Sequence, residues 1–222
     1  MTYAIVTMHN QDYSDLAAYT FDQNKQHYCK HHNYGLFAKT DNFATGKEIY
    51  FDKIRYNLEV LENNPDLKWI WWLDCDAVIT NFNKTIEEYC DDAYDFVVTL
   101  DRYALNNGSY FLKNSELARQ FLRDILALAD TFVDDKWPDQ QPMISLIEHD
   151  DGYQAMTKFY PQRAFNSYDY DFYHRDHGNT HDWDLFNQNG NWQPGDFVMH
   201  YPGIKYETKI ELAKNILEKV IK

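Results

Sequence analysis

The stretch "WIWWLDCDAVI" (residues 69–79) decides how the chain is read. It opens as a run of large apolar residues, the composition of a buried strand, and then runs into two acids, Asp74 and Asp76, one residue apart. Side chains two apart on a strand point to the same side, about 7 Å from each other. Two carboxylates brought together in a partly dry site raise each other's pKa unless a cation compensates, and Mg²⁺ or Mn²⁺ is the hard ion that suits them. The plain alternative is a polar strand end. Asp-x-Asp is not rare in so acidic a chain: chance predicts roughly three triplets, and three are present, the others being Asp169/Asp171 and Asp182/Asp184. Position, not the triplet itself, singles out the first.

That position comes from the residues upstream. "YAIVTM" (3–8) reads as a first strand, and "SDLAAYTFDQNKQHYCKHH" (14–32) as a helix with Ser14 as its N-cap. "YGLFAKT" (34–40) is a second strand. "EIYFDKIRYNLEVLEN" (48–63) repeats apolar residues at Ile49, Ile54, Leu58 and Leu61 and predicts an amphipathic helix leading into residue 69. Alternating strands and helices predict an α/β fold with a mainly parallel sheet flanked by helices, and such sheets bind ligands at the carboxyl ends of their strands. Asp74 and Asp76 sit at such an end.

Downstream, "YDFVVTLD" (94–101) and "GSYFLKN" (108–114) predict further strands, "SELARQFLRDILALADTF" (115–132) a capped helix, and "DQQPMISLIEH" (139–149) a helix broken by Pro142. Residues 165–194, rich in Tyr, Asp, His, Asn and Gly, read as a long functional or mobile loop. "GDFVMHYPG" (195–203) predicts a last short strand, followed by a C-terminal amphipathic helix. No repeat or linker divides the chain, so a single domain over 1–222 is expected. Its nucleotide-binding part would cover about residues 1–100, and a part completing the metal and acceptor sites about 101–222.

The net charge of -14 over 222 residues argues against a nucleic-acid backbone or an anionic membrane as partner. No apolar run is long enough to span a bilayer, and the first residues lack the pattern of a signal peptide. The three cysteines, Cys29, Cys75 and Cys90, have no paired spacing, which fits a reducing compartment. A soluble, cytoplasmic protein is the expectation. Of two sequons, at Asn83 and Asn107, the second falls in a candidate site.

His200 ends the apolar run "DFVMH" and is read either as a structural imidazole or as a third ligand beside the two acids. Lys205 follows as a solvated lysine or a positive charge for a bound phosphate. Asn106, Asn107, Gly108 and Ser109 precede a strand and form a turn or a set of donors to hydroxyl groups. Asp139 and Gln140 lie near a helix start, where Asp commonly caps. His174, His177 and His181 lack the cysteine partners and rigid frame of a zinc site. The aromatic excess, with 18 Tyr and 6 Trp, also suits sugar rings, which stack on aromatic faces.

Taken in order, "KWIWWLDCDAVI", "LNNGSYFLKNS", "PDQQPMISLI" and "GDFVMHYPGIK" resemble the blocks of glycosyltransferase family 34, the galactosyl-, mannosyl- and xylosyltransferase group. The resemblance implies a GT-A fold, a nucleotide-sugar donor, usually a UDP-sugar, a Mn²⁺ (or Mg²⁺) cofactor and transfer with retention to a glycan or glycoprotein acceptor. It implies metal ligation by Asp74, Asp76 and His200, with Asp76 the firmer ligand. Thr7, Met8, Lys53, Asp74, Asn106, Gly108, Gly203 and Lys205 are the implied donor-binding set, Lys205 reaching the diphosphate. Asp139 and Gln140 match the last two residues of the family's DDQ, beside the anomeric carbon, as catalytic residues. Pro138 stands where that motif has its first Asp, which removes any role for that carboxylate. A soluble virus-encoded or bacterial member, without the anchor and stem usual in Golgi members, is the expectation. A metal-dependent nucleotidyl- or phosphotransferase and a non-catalytic carbohydrate-binding protein are the alternatives; the first would release pyrophosphate and the second would turn over no donor.

Overall fold

The computed structural model describes residues 2–101, 103–170 and 190–222. Six strands, β1 (Tyr3–Met8), β2 (Gly35–Lys39), β3 (Trp69–Leu73), β5 (Phe96–Leu100), β6 (Leu105–Lys113) and β7 (Thr157–Pro161), form the main sheet in the order β2-β1-β3-β6-β5-β7. The pairs β1–β2, β1–β3 and β5–β7 are parallel, and β6 runs antiparallel between β3 and β5. A second sheet, in the order β4-β9-β8, consists of β4 (Ala77–Ile79), β8 (Ser167–Tyr168) and β9 (Val198–His200). The fold is α/β, as its alternating pattern predicts.

β3 is hydrophobic throughout because both its faces are covered. Ile70 and Trp72 pack into one core cluster with Ile54, Leu61 and Phe121, whereas Trp69, Trp71 and Leu73 pack into the other with Tyr28, Phe111 and Phe197. Each such side chain removed from water contributes roughly 1.5–3 kcal/mol. The first cluster is roofed by the helices Asp52–Asn63 and Glu116–Ala127. Ser115 caps the latter by accepting from the Ala118 amide at 3.0 Å. Behind the second lies residues 14–32, which coil as α-helix (Ser14–Ala17), π-helix (Ala18–Lys25) and α-helix again (Gln26–His32), ending at Asn33 in the left-handed region.

Several local expectations need correction. β3 ends at Leu73 and residues 74–76 turn, so the acids stand at a strand end as expected, but the apolar residues after them form a separate strand, β4, that pairs with β9 in the other sheet. Ser14 makes no cap bond, because a 3₁₀ turn at Gln11–Tyr13 already leads into the helix. Pro142 does not break its helix; it sits in the first turn of Gln141–His149, where its missing N–H would have had no partner. β7 lay in a stretch with no assignment. The loop expected over 165–194 begins instead with buried residues, Phe165 to Tyr168 and Tyr170, and contributes β8. Residues 171–189 of that stretch lie outside the described residues, and with them His174, His177, His181 and the acids Asp171, Asp182 and Asp184.

Candidate active site

The turn after β3 aims two carboxylates at one imidazole. It is closed by the Ala77 amide donating to the Asp74 carbonyl at 3.1 Å, and β4 then pairs Ala77 with His200 of β9. His200 Nε2 stands 3.2 Å from Asp76 Oδ1 and 3.9 Å from Asp74 Oδ2. One ligand atom from each of Asp74, Asp76 and His200 lies within 4.8 Å of the others, and among the described residues this is the group able to hold a metal ion. Two carboxylate oxygens and one neutral imidazole nitrogen, with room for further oxygen ligands, fit manganese or magnesium better than a softer ion.

Each member is held from behind. Trp72 Nε1 donates to Asp74 Oδ1 at 2.7 Å. His200 is 1% exposed, and its Nδ1 donates to Asn166 Oδ1 at 2.8 Å, which turns Nε2 toward the acids. Lys209 donates to Asp76 Oδ2. Burial alone would raise the Asp76 pKa, but the Lys209 ammonium and His200 hold it well below the usual carboxylate range. Asp74 moves the other way: burial pushes it up, with Asp76 adding to the rise and Lys53 opposing it.

Gly108 explains why the imidazole can approach. A Cβ there would lie 2.2 Å from His200 Cε1 and 3.0 Å from both His200 Nε2 and Asp74 Oδ2. The Gly108 carbonyl also accepts from the Asp74 amide at 2.8 Å, tying β6 to the turn.

A second cluster adjoins the first. Lys53 Nζ lies 2.8 Å from Asp139 Oδ2 and 3.6 Å from Asp74 Oδ1, and donates to Asn107 Oδ1 at 3.1 Å. Burial alone would lower the Lys53 pKa, but Asp139 and Asp74 hold it above the ordinary value, so the ammonium stays charged. Asn107 joins three elements: its side-chain amide donates to Asp139 Oδ2 at 2.8 Å, and its backbone amide donates to Gln140 Oε1 at 3.2 Å. Asp139 is therefore an ion-pair partner and makes no helix cap. Asn106 takes a different part, accepting from the Gly108 amide and from Asn166 Nδ2, each at 3.0 Å. Met8, His9, Tyr13, Tyr50, Lys53, Asp74, Asp76, Asp139 and Lys209 line a cleft of about 350 Å³.

The remaining sequence candidates lie further out. Thr7 is buried on the face of β1 opposite Met8, with its hydroxyl unpartnered among the described residues. Gly203, at φ 69°, and Lys205 are both exposed, and neither lines the cleft. The lysine on Asp76 is Lys209, one helical turn after Lys205. Asn166 and Lys209 are not singled out by sequence, and Asn107 is read there as a turn residue or a donor to hydroxyl groups, not as a partner of Lys53 and Asp139. The only hint for Lys209 was its i+4 spacing from Lys205, which places both on one helix face.

A family model described as the galactosyl transferase GMA12/MNN10 family matches residues 4–92 and 91–211. The chain belongs to this family. Within it, the alpha-1,2-galactosyltransferase of Schizosaccharomyces pombe is 23% identical over 90% of this chain and 58% of its own length. The chain spans between 46% and 67% of the length of the first three curated relatives it matches. Among solved structures, a glycosyltransferase involved in glycosylation of the major capsid of PBCV-1 superposes with a TM-score of 0.71 at 14% identity, over 97% of this chain and 100% of that one. The galactosyltransferase LgtC, in complex with donor and acceptor sugar analogs, superposes at 0.58 with 12% identity, over 99% and 96% of the two chains. At these identities the likeness shows the fold, and the fold of this family member is GT-A. Among its described residues no helix is long and apolar enough to cross a membrane.

Proposed function

We propose that this family member is a metal-dependent retaining glycosyltransferase that moves a sugar from a nucleotide-sugar, a UDP-sugar in our reading, to a hydroxyl of a glycan or glycoprotein acceptor. The observation that carries the proposal is the convergence of Asp74, Asp76 and His200 beside the Lys53–Asp139 pair, at the carboxyl end of β3. Asp74, Asp76 and His200 would hold Mn²⁺ or Mg²⁺, which supplies a Lewis acid for the negative charge that develops on a leaving diphosphate. Asp76 enters that role ionised because Lys209 and His200 favour its charged form.

Lys53 presents a buried, charged ammonium to the same space and would add to the stabilisation of a leaving anion. Asp139, fixed by Lys53 and Asn107, and Gln140, whose Oε1 accepts from the Asn107 amide, would flank the electron-poor sugar carbon. Retention would follow from attack on the face that the diphosphate leaves, with the acceptor proton passing to a phosphate oxygen. Met8 lines the donor cleft, and Lys205 and Gly203, outside the cleft lining, are our proposed contacts to the diphosphate. The division of labour we infer within one domain puts donor binding in about residues 1–100; Asp139, His200 and Lys209 complete the site from the rest of the chain. The strongly acidic surface, with a net charge of -14, leaves nucleic acid out of the reading.

The test is release of free nucleotide from a panel of nucleotide-sugars with Mn²⁺, with and without acceptors, in the wild type, Asp76→Ala and His200→Ala. Release abolished in both variants supports the site. Undiminished activity in both sinks the metal assignment, release of pyrophosphate points to nucleotidyl transfer, and no turnover of any donor leaves sugar binding alone.

A further inference from the structure

Residues 20–25 of the π-helical segment grip the metal-site turn from behind. Thr20 Oγ1 faces Cys75 Sγ at 3.8 Å. Lys25 Nζ donates to the Ala77 carbonyl at 2.6 Å and to the Thr20 carbonyl at 3.3 Å. The Asn24 side chain donates to the Ile79 carbonyl and accepts from the Ile79 amide, both at 2.8 Å. The helix thus touches residues 75, 77 and 79, and the carboxylates of residues 74 and 76 face a cleft that Cys75 also lines. Asn24 and Lys25 expose no surface.

The opposite edge of this segment is held by the second sheet. The Tyr201 amide donates to the Asp76 carbonyl at 3.1 Å, and the Thr80 amide to the Phe197 carbonyl at 2.8 Å. β4 is only three residues long, yet both of its edges are hydrogen-bonded, one by a strand and one by two side chains. The peptide unit after Asp76 is fixed from several directions, since the Ala77 amide closes the turn on Asp74 and the Ala77 carbonyl meets Lys25. A neutral amide suffices to pair the buried edge at Ile79. π-Helical turns of this kind concentrate at functional sites.

We propose that Lys25, supported by Asn24, is a positioning residue for the metal site: it fixes the main chain at Ala77 and so the direction in which the Asp76 carboxylate leaves the turn. The inference rests on the metal reading of Asp74, Asp76 and His200. Groups that orient metal ligands typically change affinity 10–100-fold when removed.

The test is Mn²⁺ binding to the whole protein without nucleotide, followed by the electron paramagnetic resonance signal of free Mn²⁺, with urea stability measured alongside. Four variants are compared: Lys25→Met, Asn24→Ala, Asp76→Ala and, as a control for general weakening, Leu122→Ala in the core on the other side of the main sheet. Lys25→Met should raise the Mn²⁺ dissociation constant by about 10–100-fold, Asn24→Ala should raise it by less, and Leu122→Ala should leave it unchanged despite lower stability. If Lys25→Met does not fold, an unchanged constant in Asn24→Ala overturns the proposal. An unchanged or tighter constant in Lys25→Met, while Asp76→Ala abolishes binding, overturns it and leaves the metal reading standing. A shift in Leu122→Ala equal to that in Lys25→Met also overturns it, and wild-type protein that binds no Mn²⁺ removes both readings.

Discussion

The Nδ1 of His200 donates to Oδ1 of Asn166 across 2.8 Å, although 34 residues separate the two in the chain. The orientation of Asn166 is itself fixed, because its Nδ2 donates to Thr99 Oγ1 at 3.1 Å and to Asn106 Oδ1 at 3.0 Å. This bond orients the ring so that Nε2 faces Asp74 and Asp76. Asn166→Leu should therefore weaken Mn²⁺ binding by about 10–100-fold. Asn166→Asp, which retains an acceptor for Nδ1 but loses the donor, should fall between Leu and wild type. Titration calorimetry with Mn²⁺ gives the order; equal affinities in all three proteins would refute it.

Gly108→Ala places a methyl group where His200 Cε1 now lies, 2.2 Å from the ideal Cβ position. The imidazole or the β6 backbone must move, which costs about 1–3 kcal/mol of stability. Both carboxylate and imidazole partners are displaced, so Mn²⁺ affinity should drop by at least about tenfold. Urea denaturation and metal titration of the same preparation test the two parts separately.

Lys53→Met leaves the buried Asp139 and the half-buried Asp74 without their shared cation, and removal of one partner from a buried pair such as Lys53–Asp139 costs about 3–5 kcal/mol. The double variant Lys53→Met/Asp139→Asn removes the orphaned charge together with its partner and should recover part of that loss. A double-mutant cycle by urea unfolding reads the coupling. Additive losses would show that the two side chains do not interact.

Burial pulls the Lys25 pKa down from 10.5 to about 8, with Cys75, Asp76 and Asp74 opposing the fall. Between those two values the unfolded chain binds more protons at this residue than the folded one, so its contribution to stability rises with pH. Below about pH 8 both states are protonated and the cost of burying the charge is felt in full. Relative to Lys25→Met, the wild type should therefore gain up to about 1.4 kcal/mol per pH unit across this window. Paired urea titrations between pH 7.5 and 10.5 measure it, and a flat difference would show that Lys25 titrates normally.

Much of this architecture could be read from residue order. β1, β2 and the helix Asp52–Asn63 declare themselves by apolar period, and β3 by an unbroken apolar run. Period alone could not reveal that residues 69–79 divide between two sheets, because both halves are buried and apolar; the division depends on β9 arriving to pair with β4. Pro142 misled because the start of its helix is set by the buried Asp139–Gln140 corner, not by the apolar pattern. Asn166 sits in a polar stretch without period, and its burial arises only when β8 joins β9.

The sequence alone determined which acids end a buried strand and that an imidazole ends another, since local pattern reports which segments the core must cover. Only the tertiary structure decided that Asn166 turns His200, that Lys209 meets Asp76, and that Lys25 and Asn24 close the far edge of β4. Each of these is a polar bond between segments remote in the chain. Such bonds form only where burial has removed water as the competing partner, and no periodicity along the sequence records them.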